Sequence, residues 1–104
     1  MEKIKVNRYV IAKLDKLIII LIKKEYFAFE ENAIKYVRSI FSFIYQIPSK
    51  SKYQCKKDKY GKYYSKLKMN HHTSYFITFD CENENYLIKN IFTNHERGYV
   101  AYIK

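Results

Sequence analysis

The apolar residues change their spacing at Pro48. Before it they recur every three or four positions, the period of one helical face. After it they alternate, the period of one strand face. A chain ordered this way buries both sets by laying helices on a sheet, which makes an α+β domain. At 104 residues the chain is long enough for one such domain, 1–104, with its own core.

The first helix is read over Arg8 to Tyr26, where Ile11, Leu14, Ile18, Leu21 and Ile22 follow helical spacing. Leu17, Ile19 and Ile20 widen that stripe beyond one face, which suits a helix with more than one neighbour. The β-branched run Ile18-Ile19-Ile20 also suits a strand, but the length of the periodic segment and the lack of turn residues favour a helix. Residues 3–6 are a short strand or a lead-in. A second helix runs from about Phe29 to Ile47 on Ala33, Ile34, Val37, Ile40, Phe41, Ile44 and Ile47. Glu30 and Glu31 suit its first turn and Pro48 ends it. A link of about three residues makes the pair an antiparallel hairpin. Residues 49–59 are then a basic loop and Asp58–Gly61 a turn. Strands follow over 62–69, 74–80 and 86–92, joined by Asn70–Thr73 and Cys81–Asn85, with a last short strand or helix within 93–104. The expected architecture is an N-terminal helical hairpin on one face of a C-terminal antiparallel β-meander.

Charge narrows the function. There are 20 Lys+Arg against 10 Asp+Glu, a net of +10, and 17 of the cations are Lys. Such a field calls for an anionic partner. Lysine is a flexible point charge, suited to neutralising phosphates rather than reading base edges. The excess is local: residues 49–68 hold 8 Lys and one acid. The longest apolar run, Leu17–Ile22, is far short of a membrane span or a signal peptide, so no membrane contact is expected and the protein is read as cytoplasmic. Cys55 and Cys81 are read as reduced thiols; with no CxxC pair and with His71 and His72 adjacent in a loop, no metal and no cofactor is expected.

Alternation on the first meander strand puts Lys62, Tyr64, Lys66 and Lys68 on one face, opposite the residues that cover the helices. Lysines beside an aromatic ring suit a phosphate backbone with a base stacked on the ring; the alternative is a solvated face that aids solubility. Lys56, Lys57 and Lys59 of the basic loop extend the same candidate surface, and Lys56 and Lys57 would favour a thiolate at Cys55. Thr93-Asn94-His95-Glu96-Arg97 places an imidazole and a guanidinium after the third strand. RNA cleavage by 2′-hydroxyl attack needs a base, an acid and cations around the phosphorane. His95 could be base or acid, with Arg97, Lys62 and Lys66 stabilising charge. The alternative for His95 is that it packs or caps a turn.

Several segments together resemble the RelE/ParE toxins of bacterial type II toxin–antitoxin systems, nearest to a divergent Bacteroidetes-like branch. They are Lys24-Glu25-Tyr26-Phe27-Ala28-Phe29-Glu30-Glu31-Asn32-Ala33, Tyr60-Gly61-Lys62-Tyr63-Tyr64, Thr73-Ser74-Tyr75-Phe76-Ile77-Thr78-Phe79 and Tyr86-Leu87-Ile88 running to Asn94-His95. The resemblance implies a helical hairpin on a curved antiparallel sheet, and a cognate antitoxin that wraps the toxin through helix and strand contacts. The over-apolar first helix, with Ile19 and Ile20 off the main stripe, fits such a docking surface, the alternative being that these residues face the other helix. RelE-like members cut mRNA on the ribosome; ParE-like members poison DNA gyrase without cleaving RNA. The resemblance implies roles for Lys62, Lys66 and Lys68, with Arg97 and Tyr99 following the third strand. A basic nucleic-acid-binding module without toxicity is the remaining reading.

Overall fold

The computed structural model describes residues 2–24 and 29–96. In chain order the elements are β1 (Lys3–Val6), α1 (Arg8–Lys23), α2 (Glu30–Tyr45), β2 (Tyr53–Gln54), β3 (Tyr63–Lys68), β4 (Ser74–Glu82) and β5 (Asn85–Thr93). The helical hairpin packs on one face of a five-stranded sheet of order β1-β5-β4-β3-β2, the α+β arrangement that the change of period implies. β2 to β5 pair antiparallel as a meander, and β1 closes the other edge parallel to β5, with Lys3 opposite Asn85 and Val6 opposite Ile88. Residues 3–6 are therefore a strand, and the sheet is mixed rather than wholly antiparallel.

Asn7 stops β1 and starts α1, because its side-chain oxygen accepts the Tyr9 N–H at 2.8 Å. The buried stripe of α1 is Val10, Leu14 and Leu21, with Leu17 half-buried between them. Ile11, read as a core position, is instead exposed: the spacing i, i+4, i+7, i+11 is met from Val10, which turns the stripe by one residue. The isoleucine run stays helical, and α1 ends at Lys23, short of Tyr26, which lies outside the described residues. In α2 the same spacing buries Ala33, Val37, Ile40 and Ile44. That helix ends two residues before the expected Ile47, and Ile47–Ser49 form a 3-10 turn with Pro48 inside it. Ile47 is still buried against the core, so the apolar period outlasts the helix.

β4 runs two residues beyond Asp80. Asn83 and Glu84, both with positive φ (49° and 68°), form the two-residue turn into β5. Tyr75, Ile77 and Phe79 of β4, with Ile88 and Ile91 of β5, face the helices. Ile88 and Ile91 are three apart, an odd spacing that regular pleating forbids. The register explains it: Thr78 lies opposite Asn90 but Phe79 opposite Ile88, so Lys89 is an extra residue, a bulge that flips the side-chain parity of β5.

The basic loop is not a free loop. The 3-10 turn Asp58–Tyr60 folds back over the outer face of the sheet, where the Thr78 hydroxyl donates to the Tyr60 carbonyl at 2.8 Å. The Tyr60 ring meets Phe92 edge-on at 5.2 Å. Gly61 permits the crossing: its φ is +141°, and a Cβ there would stand 2.8 Å from the Phe79 backbone nitrogen. Phe76 is buried beneath, with Tyr64 and Phe92 packed on it as a second small core. The buried polar groups of the sheet are satisfied: Ser65 donates to the Ser51 carbonyl (3.0 Å), and Asn90 Oδ1 accepts from Ile91 N–H (2.8 Å).

Candidate nucleic-acid interface

The outer face of the sheet carries the lysines that alternation predicts. Tyr64, Lys66 and Lys68 lie opposite Thr78, Phe76 and Ser74, on the side away from the helices, while Tyr63 and Leu67 pack into the main core. Lys66 and Lys68 are exposed. The Lys66 ammonium stands 5.9 Å over the Phe76 ring and the Lys59 ammonium 5.4 Å over Tyr60, so their stems cover the second core while their charge faces water. Tyr64 stacks on Tyr53 of β2 at 5.4 Å with the rings tilted by 31°, and Tyr53 is itself exposed. Burial, followed by the nearness of Cys55 and Tyr53, raises the Tyr64 phenol above its ordinary pKa, so it is neutral at physiological pH.

Lys62 stands just before β3, and its backbone N–H donates to the Asp80 carboxylate at 2.9 Å. With Lys56, Lys57 and Cys55 it lines a cleft of about 550 Å³. The Cys55 thiol is pushed up to about 11 by burial and then by the Asp80 charge. The expectation that Lys56 and Lys57 hold a thiolate there is therefore wrong: desolvation and a nearby carboxylate outweigh two solvated ammoniums. Both cysteines are free thiols.

Register adds three cations that the sequence reading missed. Lys3 and Lys5 share the outer side with Asn85 and Leu87, their partners on β5. The bulged Lys89 reaches Asp80 at 3.4 Å. A positive strand is readable in a sequence, but its neighbour across a parallel pair more than 80 residues away is not. The same face also holds the carboxylates of Asp80 and Glu82, at the end remote from Lys68.

The other predicted catalytic groups are not gathered here. Six residue steps along an extended chain separate Lys62 from Lys68 by about 20 Å. His95 lies at the Lys68 end but on the helix side, where it lines a cavity with Tyr75, Leu14 and Leu17. Its Nε2 is 3.1 Å from the Thr73 hydroxyl and its N–H donates to Thr93 Oγ1, the turn-capping alternative for this residue. Arg97 and Tyr99 lie outside the described residues. Asn94 completes a lock between the β3–β4 loop and the turn after β5: its side chain accepts from Ser74 N–H (3.0 Å) and donates to the His72 carbonyl (2.9 Å).

No family model, curated protein or solved structure matches this chain. Among the described residues no group of three or more His, Cys, Asp or Glu is placed to hold a metal ion, and no helix is long and apolar enough to cross a membrane.

Proposed function

We propose that the outer face of the sheet binds the phosphate backbone of RNA and that the protein is a toxin of the RelE/ParE type acting on mRNA at the ribosome. The observation that carries this reading is the row Lys66, Lys68 beside Tyr64 and Tyr53, flanked by the fold-back loop with Lys56, Lys57 and Lys59. Ammoniums neutralise phosphates, and the exposed Tyr53 ring offers a base a surface to stack on. Exposed Ile19 (56%) and Ile20 (44%) on α1 support docking of a cognate antitoxin.

Mapping mRNA 5′ ends in cells that express the chain tests the reading. Codon-phased cuts on translating ribosomes, lost in Lys66→Ala/Lys68→Ala, are the expected result. Intact transcripts during growth arrest overturn the cleavage step. One observation favours a second reading. His95 faces the helix side, away from the lysine row, so the face lacks that imidazole as a proton acceptor. A ParE-like inhibitor of DNA gyrase needs none, and loss of supercoiling activity on addition of the purified chain would identify it. Unimpaired growth on expression would leave an RNA-binding module without toxicity.

A further inference from the structure

The second small core continues outward as an aromatic ladder that ends at the edge of the sheet. Phe76 is its buried foot. Tyr64 stands edge-on to Phe76, with ring centroids 5.9 Å apart and planes at 61°. Tyr53, on the edge strand β2, lies over Tyr64 at 5.4 Å with the planes tilted by 31°. Tyr53 is 52% exposed, so one side of its ring rests on Tyr64 and the other meets solvent. A ring braced in this way loses little freedom when a flat ligand covers it.

The cations stand in line with the ladder. Outward positions on a strand recur about every 6.8 Å, so Tyr64, Lys66 and Lys68 set one ring and two ammoniums over about 14 Å. The far end of the face carries Asp80 and Glu82, whose charges repel phosphates. Two ammoniums serve a paired and an unpaired strand alike. The ring does not: a duplex keeps its bases stacked inside, whereas an unpaired strand can turn one outward. Stacking on an aromatic side chain is worth about tenfold in affinity per base, enough to decide between the two forms. Burial keeps the Tyr64 phenol neutral, so no phenolate opposes the phosphates beside it.

We infer that Tyr53, backed by Tyr64, is a base-stacking platform that selects unpaired RNA on this face, with Lys66 and Lys68 holding the neighbouring phosphates. This assignment rests on the RNA-binding reading of the face and adds the choice of strand: the lysines supply affinity and the ring discriminates.

The probes are an oligouridylate of about ten nucleotides, the same backbone with abasic residues, and an RNA duplex of equal length, each titrated with the whole chain and followed by fluorescence anisotropy. The oligouridylate should bind about tenfold more tightly than the abasic strand. Tyr53→Leu, at an exposed position outside both cores, should remove that advantage while leaving the abasic strand, the duplex and the salt slope unchanged. Tyr53→Phe keeps the ring and should keep the advantage. Equal affinity for the oligouridylate and the abasic strand overturns the platform, as does a Tyr53→Leu loss that is as large on the duplex. In either case the lysine face itself survives if Lys66→Ala/Lys68→Ala still lowers the salt slope. No saturable binding of any of these probes overturns the platform and the RNA-binding reading together.

Discussion

On β4, Tyr75, Ile77 and Phe79 turn toward the helices while Phe76 and Thr78 turn away, and the two sets are buried by different means. The helix side is roofed by two 16-residue helices whose buried stripes share one core with Tyr75, Ile77, Phe79, Ile88 and Ile91. The outer side is roofed by one 3-10 turn, the Tyr60 ring and the stems of lysines. Apolar area against α1 and α2 carries the stability of the domain. The outer cover buries Phe76 and half-covers Tyr64 and Phe92 while presenting charge to the solvent, so that side can serve recognition without holding the fold together.

The sharpest way to break this contrast is to hollow out each side in turn. Phe79→Ala should destabilise by about 3–5 kcal/mol, because the helices cannot close over the void. Phe76→Ala should lose less, about 2–3 kcal/mol, since a turn and flexible side chains collapse more readily. Urea denaturation measures both, and equal losses would mean that the outer cover is as structural as the hairpin. Gly61→Ala comes next. A methyl group there meets the Phe79 backbone at a φ that side chains avoid, so a loss of about 1–3 kcal/mol is expected. RNA affinity should fall with it if the displaced turn carries Lys56, Lys57 and Lys59 away from the face. Lys66→Ala/Lys68→Ala should leave stability within about 0.5 kcal/mol of the parent chain. The slope of log affinity against log salt for single-stranded RNA should nevertheless drop by about 1.4. A large change in denaturation midpoint would show these side chains to be structural cover instead. The smallest effect is that of Cys55. Its folded pKa of about 11 stands above the ordinary 9.0, so the folded state binds the proton more tightly. The resulting stability is whole below about pH 9 and is lost as pH rises through about 11. Alkylation of Cys55 at pH 8.5 should accordingly be slower in the folded chain than in urea.

The change of period at Pro48 made the layers of the fold legible, because helices and strands must each put one face in the core. The parity of Tyr64, Lys66 and Lys68 was legible for the same reason, and β3 obeys it, whereas Lys62 falls just before the strand. Elsewhere the sequence was silent for physical reasons. β2 is two residues long, too short to show alternation, and is defined only by its pairing with Tyr63 and Tyr64. The bulge at Lys89 inverts the outward side of β5, and nothing local marks it. The fold-back of the basic loop depends on a hydrogen bond from Thr78, 18 residues from Tyr60, which no short-range pattern encodes. Separation of His95 from the lysines is a three-dimensional fact of the same kind: proximity to a strand end says nothing of the side of the sheet.

The pairing of β1 has a kinetic consequence. Lys3 finds its partner at Asn85, so this edge of the sheet cannot close until β5 has left the ribosome and become pleated. Until then β1 lacks its neighbour, and its free backbone groups are open to any passing extended peptide. A chaperone, or a partner supplied during synthesis, would find its opening in that interval.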